Sequence, residues 1–447
     1  MENKLIVSVA GIRGIYPNPL SPDIVYKFGL AFGIYADGKK VFVARDTRKS
    51  GTVLKMALMT GLAAAGRDII DLDISSTPQL TYLVENNRGV CGVVISASHN
   101  PENYNGLKFV SSKGTFLNEK EGAVLLDIYS KIETIRIKQD AGSLVVVNSK
   151  TLMKNYFDSI YRSVNVSEIK KRKFKVVVDV CQGVGAFYTH SFLKHLKCEV
   201  VVINPSPPGI FSHNPEPLPE SLQDLSHKTV TEKADIGFAQ DPDGDRLAVI
   251  DENGCIPGED MTLALCVQNV LEKKRGPVVV NLSTSMIIEH IAGMFHSDIY
   301  RTKIGEVNVV EGMKKYRAVI GGEGNGGVIL PSVHYGRDSF VGMALILEHM
   351  AIKRKPLSEI IGVLPRYTML KKKFLMGEKQ KKSVMKKLKK RYELTENINL
   401  NDGIKIIRND GWIHIRPSGT EPILRVYIEA INKTVAKKYL LEITRFL

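Results

Sequence analysis

Val90-Cys91-Gly92-Val93-Val94-Ile95-Ser96-Ala97-Ser98-His99-Asn100-Pro101 is an apolar run that breaks off in a polar, proline-ended turn. The first half reads as a strand and the second as the loop that leaves it. Upstream, Lys40–Ala44 (KVFVA) reads as a buried strand, Leu54–Ala65 as a helix and Asp68–Ile74 as the next strand. Downstream, strands Phe174–Asp179 and Glu199–Ile203 flank the helical stretch Phe187–Leu196, and Pro277–Leu282, Met286–Met294 and Ala318–Gly321 repeat the rhythm. Such alternation defines α/β units with largely parallel sheets. The unit recurs three times without a clean sequence repeat. The last part differs: a basic helix, strands Gly403–Arg408, Gly411–Ile415 and Ile423–Glu429, and helix Thr434–Leu447 make a small α+β domain. Weakly patterned breaks near Ala141–Lys150, Asp251–Gly258 and Pro365–Lys371 divide the chain into 1–147, 148–250, 251–367 and 368–447.

Composition limits the function classes. A chain of 447 residues is too long for one hydrophobic core and calls for three or four domains. No apolar run is long enough to span a membrane, and Met1 to Ile12 lacks the pattern of a secretory signal. The cysteines (Cys91, Cys181, Cys198, Cys255, Cys266) are scattered, odd in number and without a CxxC pair, which argues against a thiolate zinc site and for reduced thiols in the cytoplasm. The net charge of +15 concentrates between Lys371 and Arg391, where Leu375, Val384, Met385 and Leu388 interleave with lysines as on an amphipathic helix with a solvated face. With one Trp and no aromatic–basic platform, nucleic-acid binding is not expected.

Four segments carry chemistry. In Ser96–Pro101, Ser98, His99 and Asn100 stand beyond the end of a strand, where open α/β sheets bind ligands, and Lys108 follows closely; the alternative is a plain polar turn. In Asp241-Pro242-Asp243-Gly244-Asp245-Arg246, three alternating carboxylates repel one another unless a cation sits among them, and oxygen-only ligands favour a hard ion such as Mg²⁺. An EF-hand is disfavoured, because Arg246 takes the loop position that needs glycine and the flanks, Asp235–Ala239 and Leu247–Ile250, read as strands. Gly321-Gly322-Glu323-Gly324-Asn325-Gly326-Gly327 contains a formal GxGxxG, but Val328-Ile329-Leu330-Pro331 follows where a dinucleotide site needs a helix. Glu323 and Asn325 suit sugar hydroxyls better, with a structural turn as the alternative. Arg416-Pro417-Ser418-Gly419-Thr420-Glu421-Pro422 offers a guanidinium, two hydroxyls and loop N–H groups, as a phosphate cradle or a tight turn, with Arg425 as a further cation.

Taken together, these segments resemble the α-D-phosphohexomutase family, which includes phosphoglucomutase, phosphomannomutase and phosphoglucosamine mutase. Gly11-Ile12-Arg13-Gly14-Ile15 resembles its N-terminal phosphate-contacting segment, and Ala44–Gly51 (ARDTRKSG) and Ser76-Thr77-Pro78 match stretches of its first domain. The resemblance implies a phosphorylated Ser98, with His99 orienting its loop, Lys108 and Arg246 assisting, and Asp241, Asp243 and Asp245 holding Mg²⁺ together with the seryl group. It implies Arg13, Glu323, Asn325, Arg416, Ser418, Gly419 and Thr420 as substrate contacts, and four domains around a central cleft, three of them related α/β domains with mixed sheets.

The implied reaction moves a phosphoryl group from Ser98 to a hexose phosphate, gives a sugar bisphosphate that turns over, and returns the other phosphate to Ser98. A sugar 1,6-bisphosphate is the expected primer. The Arg-Pro-Ser-Gly-Thr-Glu-Pro loop leans toward glucosamine phosphate, ahead of mannose or glucose phosphate; a non-catalytic phosphosugar-binding protein and a metal-dependent phosphatase are the other classes. A monomer or homodimer without membrane or nucleic-acid partners is expected. The family's usual histidine is replaced by Gly327, which leaves Lys108, His99 and His334 as candidate proton acceptors, Lys108 first provided that its pKa is lowered.

Overall fold

Strand Val90–Ile95 lies inside a sheet whose described strands run, edge to edge, Ile6–Ser8, Gly11–Ile15, Tyr104–Val110, Val90–Ile95, Lys40–Arg45, Asp68–Ile74 and Leu144–Val146. The structure is a computed structural model that describes residues 5–8, 11–135, 140–147, 149–206, 208–418 and 421–447. Strand Val90–Ile95 is buried along its whole length, as its uncharged sequence dictates. It pairs in parallel with Lys40–Arg45 and antiparallel with Tyr104–Val110, so the sheet is mixed. Antiparallel pairing with Gly11–Ile15 sets Gly11 opposite Lys108 and Arg13 opposite Gly106.

Two four-stranded sheets follow, each with a parallel set closed by one antiparallel edge strand. In the first, the antiparallel pair Ile236–Gln240 and Leu247–Asp251 is joined by the loop that carries the three aspartates. In the second, Ile320–Glu323 pairs with Gly327–Ile329, so the glycine-rich segment is a tight hairpin in which Glu323 faces Gly327. Helix Ser339–Lys353, buried from Ser339 to Ala351, starts on Asp338, whose carboxylate accepts from the N–H groups of Phe340 and Val341. One contiguous core joins residues of all three α/β regions, from Phe42 to Leu364. Cys91, Cys181, Cys198 and Cys266 are buried and Cys255 is exposed, all as free thiols.

The C-terminal part forms a five-stranded antiparallel sheet, with helices Glu378–Tyr392 and Lys433–Thr444. Here the sequence reading needs correction. Lys371, Lys372 and Lys373 lie on strand Thr368–Leu375, not on a helix, and Leu375 is exposed while Val384 and Leu388 are buried. This strand forms an edge of the sheet, where lysines discourage further strand pairing.

Candidate active site

Ser98 has a left-handed backbone, φ 49°, unusual for a residue with a side chain. Main-chain bonds on both sides hold it there: Ser98 N–H donates to Ser96 Oγ at 2.9 Å, and Arg48 Nη2 donates to the Ser98 carbonyl at 2.8 Å. Arg48 is itself fully buried against Asp46, which also accepts from Ser96 Oγ at 2.7 Å. The ring of Phe211, from the second α/β region, lies 4.9 Å under the guanidinium. The loop is therefore preformed, with Ser98 Oγ donating to Asp241 Oδ2 at 2.7 Å.

The aspartate loop is shaped by Asp241 Oδ1, which accepts from the N–H groups of Asp245 and Arg246, both at 3.0 Å, and by Gly244 at φ 75°. All three aspartates are fully buried. Asp243 accepts from Thr77 Oγ1 and, at 2.5 Å, from Lys108 Nζ; Asp245 accepts from Arg337 Nη2 at 2.7 Å. Burial, then Asp245 and Asp243, push the Asp241 carboxyl well above the usual range. Burial is also the largest influence on Asp243 and Asp245 and acts the same way, but the Lys108 charge with the Lys108 and Thr77 hydrogen bonds together overcome it at Asp243, and Arg337, Lys108 and Arg246 together overcome it at Asp245, so both are held below the usual range.

One oxygen from each aspartate lies within 4.8 Å of the others, and Oδ1 of Asp243 and of Asp245 are buried without a hydrogen-bond partner among the described residues. Buried carboxylate oxygens left unpaired are costly unless a cation takes them. An oxygen-only set of this kind fits Mg²⁺.

Cations ring this centre. Arg13 donates to Asn100 Oδ1 at 3.3 Å and Arg246 to Glu216 Oε1 at 3.3 Å. Lys108 requires a correction: burial alone would lower its ammonium pKa, but Asp243 and Asp245 raise it above the ordinary value. The condition for Lys108 to act as a base is not met; it stands as a fixed positive charge. His99 Nδ1 lies 3.3 Å from Ser98 Oγ, and burial, then Arg246 and Arg13, keep its imidazole neutral at pH 7. His334 is remote from this chemistry: Nδ1 meets Thr81 Oγ1 at 3.3 Å, Nε2 meets Asp338 Oδ2 at 3.0 Å, and the Tyr82 and Tyr156 rings pack edge-on against it.

Glu323 is brought to the same centre. Its Oε1 accepts from Asn281 Nδ2 and Gly305 N–H, both at 2.9 Å, and its Oε2 from Arg337 Nη1 at 3.0 Å. The hairpin docks on the aspartate loop through Leu247 N–H to the Gly326 carbonyl, 3.1 Å. Asn325 Oδ1 turns inward to Gly327 N–H at 3.3 Å.

Arg416 and Arg425 make their bonds elsewhere. They face each other across paired strands, Arg416 reaching Asp402 at 3.4 Å and Arg425 reaching Glu421 at 2.6 Å. Two like charges in register suit an anion between them. Ser418 lies at the start of this loop, its Oγ accepting from Glu421 N–H at 3.2 Å; Gly419 and Thr420 lie outside the described residues. Asp402 also accepts from Ile304 N–H at 3.0 Å, beside Gly305, which donates to Glu323.

Sequence reading missed Arg48, Thr77, Arg337 and Lys381. Arg48 and Thr77 stand in stretches already noted for their resemblance. Lys381, hidden in the basic segment, is buried and donates to the Ser418 carbonyl at 3.2 Å.

The chain is similar to known proteins along nearly its whole length. The sequence matches the phosphoglucomutase/phosphomannomutase family in all its parts: α/β/α domain I over 4–136, domain II over 154–254, domain III over 258–367 and the C-terminal domain over 372–445. A phosphoglucomutase/phosphomannomutase from Thermococcus kodakarensis is 37% identical, covering 96% of this chain and 95% of its own. A protein from Methanopyrus kandleri named "probable phosphoglucosamine mutase" is 34% identical over 96% of this chain and 94% of its own. A phosphoglucomutase/phosphomannomutase family protein from Burkholderia thailandensis superposes with a TM-score of 0.87 at 28% identity, over 99% of this chain and 96% of that one. The chain therefore belongs to the phosphoglucomutase/phosphomannomutase family, whose members are phosphohexomutases and generally Mg²⁺-dependent.

Proposed function

We propose that this chain interconverts hexose 6-phosphate and hexose 1-phosphate through phospho-Ser98 and a sugar 1,6-bisphosphate, with glucosamine phosphate as the preferred substrate. The observation that carries this reading is Ser98 Oγ, 2.7 Å from Asp241 Oδ2 in a buried aspartate cluster with two oxygens that lack a hydrogen-bond partner among the described residues. Asp241, Asp243, Asp245 and the seryl group would hold Mg²⁺, which when bound supplies charge neutralisation to the transferring phosphoryl group. Arg48 and Ser96 keep Ser98 aimed, and Lys108, Arg13 and Arg246 supply positive charge around it. Neutral His99, beside Ser98 Oγ, is the side chain placed to hold a proton there. Glu323 and Asn325 orient sugar hydroxyls, and Arg416, Ser418, Gly419, Thr420 and Arg425 hold the phosphate that is not reacting. Domain limits near 147, 250 and 367 are part of this proposal, the second falling at the end of strand Leu247–Asp251.

A second sugar is favoured by the Thermococcus relative, named for glucose and mannose phosphates. A coupled assay with the 1-phosphates of glucosamine, glucose and mannose, Mg²⁺ and a bisphosphate primer tests the assignment. Highest kcat/KM with glucosamine 1-phosphate is expected; a clear preference for another sugar overturns it, and steady release of inorganic phosphate would make the protein a phosphatase.

Arg416→Ala should raise the substrate KM roughly ten- to a hundredfold, the effect of losing a charge-assisted contact of about 1.5–3 kcal/mol. An unchanged KM would move the cradle from Arg416 to Arg425. Lys108→Ala should lower kcat by roughly a hundredfold or more, as removal of a charge aimed at the transferring group does. His334→Ala should lower the melting temperature while sparing kcat. Single-turnover phosphoryl transfer in the two variants decides it: a slower His334 variant would place the proton acceptor after the sugar hairpin.

A further inference from the structure

Gly327 has no left-handed φ, so its backbone would accept any L side chain. Space does not. A Cβ built on it would stand 2.3 Å from Arg337 Cδ and 3.0 Å from Cγ, with Asn325 Oδ1 next at 3.2 Å. The arginine cannot move aside cheaply, because its head is fixed at three points. Nε donates to Glu306 Oε2 at 2.8 Å, Nη1 to Glu323 Oε2 at 3.0 Å and Nη2 to Asp245 Oδ2 at 2.7 Å. Its main chain is fixed as well: Arg337 N–H meets Glu306 Oε1 at 3.3 Å, and the next residue, Asp338, caps a buried helix.

We propose that Gly327 and Arg337 form one device, in which the glycine opens the path for the arginine stem and the arginine, as a positioning residue, locks Glu323 of the sugar hairpin to Asp245 of the aspartate loop. The consequence for turnover rests on the mutase reading above; the pairing itself does not. A planar guanidinium directs separate N–H groups to separate carboxylates, which an ammonium cannot reproduce at these distances. Arg337 stays protonated and offers no acceptor, so it acts through Glu323 and Asp245 and not as a base. The space beside Gly327 is thus filled from the neighbouring segment by the stem of a permanent cation.

The test is a double-mutant cycle on the full chain with Gly327→Ala, Arg337→Met and the double variant, plus Arg337→Lys. On the wild-type background, Gly327→Ala should lower kcat/KM about tenfold, chiefly by raising KM as Glu323 loses its direction; on the Arg337→Met background it should cost under twofold. Arg337→Met should itself lower kcat/KM about a hundredfold, and Arg337→Lys should rescue little of it. Melting temperatures form a second cycle, in which Gly327→Ala lowers the midpoint only while Arg337 is present. Equal effects of Gly327→Ala on both backgrounds in the melting cycle would overturn the pairing whatever the activity. Coupling in the melting cycle with no mutase activity in the wild type would leave the pairing standing and overturn the mutase reading. Coupling with KM unchanged in every variant would overturn the positioning role.

Discussion

Ser98→Ala is expected to reduce mutase turnover by roughly ten-thousandfold or more, the scale on which loss of a covalent carrier is felt. The substitution removes Oγ and its bond to Asp241, while the bonds that hold the loop run through the main chain, from Ser98 N–H to Ser96 and from Arg48 to the Ser98 carbonyl. The loop should therefore keep its course, and the loss should fall on kcat and not on folding. Steady-state assay with a hexose 1-phosphate and primer, beside a circular dichroism melt, separates the two. A variant that melts like wild type and turns over within tenfold of it would remove Ser98 from the reaction.

Asp245→Asn should cost about a thousandfold in turnover. The shape is nearly unchanged, but one negative charge is lost from a fully buried cluster proposed to hold a divalent cation, a contribution of several kcal/mol to transition-state charge. Asp245 also takes Arg337 at 2.7 Å and Lys108 at 3.4 Å. Removing one partner of a buried ion pair typically costs about 3–5 kcal/mol, so the variant should also melt at lower temperature. Isothermal titration with Mg²⁺ checks the charge argument directly: weaker binding is expected, and unchanged Mg²⁺ affinity with unchanged turnover would contradict it.

The readable part of this site was local in sequence. Ser98 sits at the end of an uncharged strand, and the three aspartates alternate within one loop, so both announced themselves in short stretches. What was hidden depended on partners far along the chain. Arg337 meets Asp245 at a separation of 92 residues, Thr77 meets Asp243 at 166, and Arg48 reaches the Ser98 carbonyl at 50. Whether the Lys108 pKa is lowered is not legible in the sequence for the same reason. In the sequence Lys108 stands near the Ser98 loop and far from the aspartates, whereas folding places its ammonium directly against Asp243. Strand and helix order was legible because apolar runs and their spacing are local properties. The basic segment failed at its first lysines because charges on an edge strand imitate the polar face of a helix. The meaning of Gly327 was invisible without knowing that Arg337 passes beside it.

The central claim is that Ser98 carries the phosphoryl group. Protein stripped of phosphate is incubated with a hexose 1,6-bisphosphate and Mg²⁺, then mapped by peptide mass spectrometry. The account predicts one phosphoryl group on the peptide containing Ser98, none in Ser98→Ala, and its loss on addition of hexose monophosphate with matching formation of bisphosphate. Labelling that persists in Ser98→Ala, or full turnover with Ser98 never phosphorylated, would contradict it.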